Sequence, residues 1–153
     1  MIRRVIYIVL ITGVLFSPVK RIDVGSLQPI EVICVYHSNQ GITVETDTGD
    51  VGQGNDLRAA LIDLMNTAPG VVYLDTAEFL LVSEELDAQI ELMKDKLKGS
   101  TKVVAISGRI DLQNIDSYLR AHGDFPKIKK WKRGDKLPVL TSEKISAKVE
   151  NKA

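Results

Sequence analysis

The sequence predicts an α/β domain in which one mixed β-sheet is covered by about three helices, preceded by an apolar N-terminal segment. Short runs of β-branched and aromatic residues alternate with amphipathic stretches after residue 42, a pattern typical of layered α/β domains. Residues 5–16 form a mostly apolar run of twelve residues. We therefore divide the chain into a signal peptide or membrane anchor (1–21), a linker (22–29), the α/β domain (30–140) and a polar tail (141–153).

The apolar run 5–16 has the composition of a secretory signal or an uncleaved anchor. Arg3 and Arg4 precede it, and Lys20 and Arg21 follow it. A helix of twelve residues spans about 18 Å, less than the hydrocarbon core of about 30 Å, although long basic side chains extend its reach. We expect this run to bind the protein to the cell membrane, with the domain on the extracytoplasmic side. A buried N-terminal strand or helix is the alternative.

The strands of the predicted sheet come from three regions. Residues 30–48 contain two strand-like runs around the turn 38–41, which indicates an antiparallel hairpin. Residues 71–82 provide one bent strand or two. Lys102–Ser107 provides a short buried strand, and we expect all of these strands to share one mixed sheet.

Three amphipathic stretches predict helices at 56–66, 84–98 and 112–122. Asp56 (or Asn55), Ser83 and Asp111 are residue types that cap helix N-termini. The residues expected to face the core are spaced three or four apart: Leu57, Leu61, Leu64 and Met65; Leu86, Ile90, Met93 and Leu97; Leu112, Ile115 and Leu119.

The formal net charge is zero, because 20 Lys and Arg balance 20 Asp and Glu. This balance argues against a chain that holds nucleic acid by bulk positive charge, so we predict no nucleic-acid partner. The charges are nevertheless segregated: residues 45–95 carry 12 acids and two bases, and residues 96–153 carry 14 bases and six acids. Two such halves can attract each other within or between chains, or fold into a mixed surface.

An acidic, glycine-rich stretch at residues 47–56 is a candidate ligand site. It contains Asp47-Thr48-Gly49, the catalytic triplet of aspartic proteases, in which two carboxylates share a proton. A single triplet would require a homodimer. The amphipathic helices that follow it do not fit the mostly β architecture of those proteases.

The segment 49–55 is predicted to be a loop that leads into a helix, a context in which backbone N–H groups can bind phosphate. Asp47, Asp50 and Asp56 would repel phosphate, but carboxylate oxygens are ligands for a hard cation such as calcium. A flexible connector with glycines at positive φ is the third interpretation. The alternative function is thus a ligand- or cation-binding or hydrolytic domain that uses residues 47–56.

The remaining nucleophiles and histidines form no recognisable catalytic motif. Cys34 is the single cysteine, and its position in a strand predicts a buried apolar role. His37 and His122 lie at the ends of separate predicted elements, and no G-x-S-x-G motif accompanies them. We therefore predict no catalytic residue and no cofactor.

A basic segment near the C-terminus is the candidate contact site for a partner. Its five bases surround Trp131 and have no acid among them: Lys127, Lys129, Lys130, Lys132 and Arg133. We expect an exposed loop that binds anionic lipid or an acidic protein, with Trp131 inserted at the level of the lipid headgroups. A solvated loop without a partner is the alternative.

Residues 57–86 contain a helix (LRAALIDLMNTAPG), an apolar strand region (VVYLDTAEFLLV) and the opening Ser83-Glu84-Glu85-Leu86 of a second helix. This succession resembles the N-terminal domain of the C subunit of spore germinant receptors, lipoproteins on the outer face of the inner spore membrane. It is also compatible with a small anchored protein of a Gram-positive bacterium. The resemblance implies a non-enzymatic, membrane-associated protein with a role in sporulation. The sequence as a whole predicts an extracytoplasmic interaction protein.

Overall fold

The computed structural model describes residues 27–112 and 115–141. The predicted anchor and most of the predicted tail therefore lie outside the described residues. The described strands are β1 (Leu27–Pro29), β2 (Val32–Ser38), β3 (Gly41–Thr46), β4 (Val51–Gly54), β5 (Val71–Tyr73), β6 (Phe79–Ser83), β7 (Lys102–Ser107) and β8 (Val139–Thr141). The described α-helices are α1 (Leu57–Thr67), α2 (Gln89–Met93) and α3 (Ile115–His122), and two 3₁₀ turns occupy Leu74–Thr76 and Glu84–Leu86.

The predicted α/β class is confirmed, because six of these strands form one mixed sheet with helices packed against it. The strand order is β4-β3-β2-β6-β7-β8. The strands β2, β6, β7 and β8 are parallel to one another, and β3 and β4 are added at one side in antiparallel order. The predicted hairpin is confirmed, since Ser38 pairs with Gly41 and Ile33 pairs with Thr46.

The central strands are buried on both faces, so the core has two halves. Alternate residues of β2 and β6, such as Ile33 and Leu80, pack with α1, α2 and the turn near Trp131. Their neighbours, such as Cys34 and Leu81, pack with α3. We call these two sides of the sheet the α1 face and the α3 face.

The expectation that all of residues 71–82 join the main sheet is wrong. Only β6 does so, because the 3₁₀ turn Leu74–Thr76 separates it from β5. β5 instead pairs in parallel with β1 in a second sheet of two strands, with Leu27 opposite Val71. Thr76 supports this arrangement, because its Oγ1 accepts a hydrogen bond of 3.0 Å from the Ile30 N–H. The last three residues of the predicted linker thus form a strand.

The predicted helix over 84–98 is broken into shorter turns. A 3₁₀ turn precedes α2, and Ser83 makes no side-chain capping hydrogen bond. Several N–H groups in this segment, including those of Lys94 and Lys96, bond to the carbonyl three residues earlier, which tightens the backbone into 3₁₀ geometry. The predicted core residues of this segment are nevertheless all buried: Leu86, Ile90, Met93 and Leu97.

The other two helices lie close to their predicted ranges. Asp56 caps α1, since its Oδ1 accepts a hydrogen bond of 2.7 Å from the Ala59 N–H. Leu57, Leu61 and Leu64 are buried, but Met65 is not part of the core, because its position on α1 faces outward. The described part of the third helix, α3, begins at Ile115, and its inward residues Ile115 and Leu119 are buried.

The glycine-rich segment 49–55 is mostly a strand, so its prediction as a loop is wrong. Gly49 is in the turn between β3 and β4 with a φ of 87°. Gly52 and Gly54 are in β4 directly under α1: a Cβ added to Gly52 would lie 2.5 Å from Leu64 N, and one added to Gly54 would lie 2.5 Å from Ala60 N. These two glycines therefore allow the helix to approach the strand closely.

Side chains of α1 also protect the edge of the sheet at β4. Asp63 Oδ2 accepts a hydrogen bond of 2.9 Å from the Gln53 N–H. Thr67 Oγ1 lies 3.4 Å from the Val51 carbonyl oxygen. Backbone groups that would otherwise be open to another strand are thereby engaged, which disfavours edge-to-edge association here.

We predict that Gly52→Ala destabilises the domain by ~1–3 kcal/mol, because the new methyl group would contact the backbone of α1 and force it away from β4. Urea unfolding of the chain, followed by circular dichroism, measures the difference. Gln53→Ala is the matched control, since this neighbour is exposed and keeps its N–H; it should change stability by no more than about 0.5 kcal/mol. Equal stability of the two variants would show that α1 does not pack tightly on β4.

Candidate functional site

The three acids proposed as cation ligands each have a local structural contact. Asp47 accepts the Glu31 N–H, with its carboxylate oxygens at 3.1 and 3.3 Å. Asp50 Oδ2 accepts a hydrogen bond of 2.7 Å from the Thr48 hydroxyl, and Asp56 caps α1. Burial raises the pKa of the Asp47 carboxyl, and backbone N–H donors oppose that rise.

These acids do not form a cation site in the structure. In the part of the chain that the structure describes, no group of three or more His, Cys, Asp or Glu residues is placed to hold a metal ion. The triplet Asp47-Thr48-Gly49 follows β3 and belongs to its turn toward β4. The geometry thus explains residues 47–56 as a turn, an edge strand and a helix cap.

Cys34 and the two histidines also have structural surroundings. Burial raises the pKa of the Cys34 thiol to about 12, so at neutral pH it carries no nucleophilic thiolate. The ring of His122 stacks on Tyr118 at a centroid distance of 4.6 Å, and its Nδ1 lies 3.0 Å from the Tyr118 carbonyl oxygen. His37 is exposed near the end of β2.

The Tyr36 hydroxyl donates a hydrogen bond of 2.9 Å to Glu45 Oε2 on the neighbouring strand. Burial, together with this bond and the Glu45 charge, raises the pKa of Tyr36 to about 12. Tyr36 therefore stays protonated at physiological pH. This tyrosine–carboxylate pair on the hairpin was not among the sequence candidates, because its two members become neighbours only through the register of β2 and β3.

The basic segment is a compact turn, which we call the basic turn (residues 127–133). Its N–H groups are tied to the domain: Ile128 N donates to the Thr101 carbonyl at 2.7 Å, and Lys132 N donates to Asp135 Oδ2 at 2.8 Å. All five of its bases are exposed: Lys127, Lys129, Lys130, Lys132 and Arg133. No ion pair among the described residues involves them.

Trp131 does not lie at the surface as expected, because its side chain belongs to the core. Trp131 is only 2% exposed and packs in the same apolar cluster as α1 and α2. The Nζ of Lys94 lies 5.3 Å from the centre of its ring. The sequence signal was the spacing of three between Ile128 and Trp131, which places both on the inner side of one turn and leaves the bases outside.

Sequence reasoning missed an exposed apolar groove between α1 and α2. We call it the α1–α2 groove; its volume is about 740 Å³. Ile62, Met65 and Leu92 line it and are 51%, 49% and 60% exposed. Its further lining residues are Leu57, Arg58, Leu61, Glu91, Lys94, Asp95 and Lys96.

The rim of the α1–α2 groove carries both signs of charge. Lys94 Nζ forms an ion pair of 2.7 Å with Glu91 Oε2, which offsets one acid of the rim. An apolar surface with a charged rim is typical of sites that bind another molecule. The sequence did not indicate this groove, because Met65 continues the helical apolar pattern as if it belonged to the core.

A smaller groove of about 310 Å³ lies where β6 and β7 end. Ser83, Glu84, Asp87, Asp135 and Lys136 supply its polar lining. The carboxyl ends of parallel strands are common ligand positions in α/β proteins. Asp135 is engaged by the Lys132 N–H of the basic turn, which reduces the polar groups available to a ligand here.

The chain matches no protein-family model, no curated protein and no solved structure. Among the described residues, no helix combines the length and the apolar character needed to cross a membrane, and the run 5–16 lies outside them.

We predict that the fluorescence of Trp131, the single tryptophan, is that of a buried indole. Emission should shift to longer wavelength on unfolding, and iodide should quench the native chain poorly, because the ring is enclosed by the core. Addition of anionic vesicles should leave the emission unchanged. The unfolded chain is the control, in which iodide quenches freely. Iodide quenching of the native chain as strong as that of the unfolded chain would contradict the buried position.

Proposed function

We propose that this chain is a non-enzymatic, membrane-associated protein whose α/β domain lies on the extracytoplasmic side and acts by binding other molecules. The observation that carries the proposal is the α1–α2 groove, with three large apolar side chains exposed to solvent. Monomeric soluble domains rarely leave such groups clustered unless a partner covers them. The apolar run 5–16 supports the membrane location.

The alternative function, a ligand- or cation-binding or hydrolytic domain at residues 47–56, has less support. Asp47 and Asp56 are engaged by backbone N–H groups, and Asp50 is engaged by a neighbouring hydroxyl. A catalytic or metal-binding carboxylate needs an open side toward its ligand. Neither groove described above is lined by any of the three.

The resemblance to germinant-receptor C subunits makes the proposal more specific. In the structure, residues 57–86 correspond to α1, β5, β6 and the turns between and after them. A C subunit is a membrane-bound, non-catalytic component, so a similar domain here would act as a binding partner during sporulation. This finer role rests on the succession of elements alone.

The basic turn is the second element of the proposal. Its five bases are exposed, and no ion pair of the described domain neutralises them. We propose that they bind anionic lipid, with an acidic protein as the alternative partner. Each base near an anionic membrane surface contributes ~1 kcal/mol, reduced by salt.

We predict that replacing Ile8, Leu10 and Ile11 by Asp releases the full chain from the membrane fraction or blocks its export. Each charge near the centre of an apolar helix costs roughly 2.5–3.5 kcal/mol on insertion, and three exceed what a twelve-residue run can offset. Fractionation of cells followed by immunoblotting measures the change. The matched control places the same three charges at exposed positions: Gln53→Asp, Asn55→Asp and Ser117→Asp. An unchanged membrane fraction of the first variant would reject the anchor.

We predict that the bases of the basic turn bind anionic vesicles even when the N-terminal anchor has been inactivated. In the background with the three N-terminal aspartates, the full chain should co-sediment with anionic vesicles more than with neutral ones. Replacing all five bases by Gln should abolish this difference, because the charge that attracts the lipid is removed. Lys130→Gln should weaken binding more than Arg109→Gln, a matched loss of one exposed base elsewhere. Equal binding to both vesicle types before substitution would contradict a lipid partner.

A further inference from the structure

Three segments cover the same side of the sheet. Residues of α1, α2 and the basic turn belong to one apolar cluster, represented by Leu64, Ile90 and Trp131. All three therefore lie on one common side of the domain, the α1 face, and each also carries exposed side chains. This side therefore combines the α1–α2 groove with the exposed bases of the basic turn.

The N-terminal segment joins the domain beside this same side. Its first described strand, β1, pairs with β5, and Leu27 lies opposite Val71. Val71 follows the last residue of α1, Thr67, by only four positions. The chain from the predicted anchor therefore arrives at the C-terminal end of the helix that carries Ile62 and Met65. Ten residues separate 16 from 27, a reach of at most about 36 Å.

We propose that the α1 face lies against the surface of an anionic phospholipid bilayer, which occupies the α1–α2 groove. Ile62, Met65 and Leu92 enter the region between headgroups and acyl chains. The basic turn contacts lipid phosphates beside them. This inference rests on the proposed membrane association and adds the orientation of the domain on the membrane.

The charged residues that line the α1–α2 groove are three bases, Arg58, Lys94 and Lys96, and two acids, Glu91 and Asp95, a net formal charge of +1 that is compatible with an anionic surface. Glu91 is paired with Lys94, and the Asp63 carboxylate accepts a backbone N–H of β4. The basic turn adds five exposed bases on the same side. On the α3 face, by contrast, the base Arg120 is already in ion pairs, at 3.0 Å with Glu31 and at 3.2 Å with Glu78. Ser117 on α3 is exposed and provides a reference position on that face.

The test uses the full chain in lipid nanodiscs that contain anionic phospholipid. Leu92→Cys and Ser117→Cys are each labelled with an environment-sensitive fluorophore. Cys34 stays unlabelled, because it is buried and its thiol is protonated at neutral pH. Lipids with a nitroxide at the headgroup or high on the acyl chain then quench any fluorophore that lies at the membrane surface.

The label at Leu92 should be quenched several-fold more strongly than the label at Ser117. Adding Ile62→Ser and Met65→Ser should reduce quenching at Leu92, because the apolar contact with lipid is removed. Val139→Ser, which replaces another exposed apolar residue away from the groove, should leave it unchanged. All of these positions are exposed, so the variants are expected to fold.

Equal quenching at Leu92 and Ser117 would overturn the inference. An apolar environment at Leu92 without lipid quenching would also overturn it, since a protein partner or a second copy would then cover the groove. In both cases the chain would still reside in the nanodisc, so the proposed membrane association would survive. A chain that does not associate with nanodiscs would overturn both the inferred orientation and the proposed membrane association.

Discussion

The organisation of this domain depends on the burial of its central strands on both faces. Four consecutive residues of β2 and four of β6 are buried, and β7 follows the same pattern. Such strands cannot leave either side to water, so both faces of the sheet must be covered. Two helices and the basic turn cover one face, and α3 with Phe125 covers the other. Since α3, Phe125 and the basic turn all belong to the long connection between β7 and β8, this one connection packs on both faces of the sheet.

Local patterns predicted the elements whose contacts are near in sequence. The hairpin of β2 and β3 and the Asp56 cap of α1 depend on neighbours within a few residues. The strand β4 was not predictable in this way, because Gly52 and Gly54 are poor strand formers and only the approach of α1 explains them. The place of β5 outside the main sheet was missed for a similar reason, since its pairing partner β1 lies more than forty residues away.

The candidate sites show the same division between local and long-range information. The bases of the basic turn could be identified from the sequence, because exposure of charged side chains is the general rule. The burial of Trp131 was missed, since its immediate neighbours in the sequence are bases and the other members of its apolar cluster come from distant segments. The α1–α2 groove depends on how two helices are spaced across the sheet, which no single segment encodes. The segregated charges meet at Arg120 and Glu78, where the ion pair is exposed and contributes little to stability.

The burial of Trp131 also affects how the basic turn can bind. A disordered basic segment would lose backbone and side-chain freedom on binding, and that loss opposes association. Here Ile128 and Trp131 fix the turn to the core, and hydrogen bonds to Thr101 and Asp135 hold its backbone. Binding therefore has to order only the lysine and arginine side chains. The packing that completes the α1 face of the core thus also fixes the backbone that carries five exposed bases on the same side of the sheet as the α1–α2 groove.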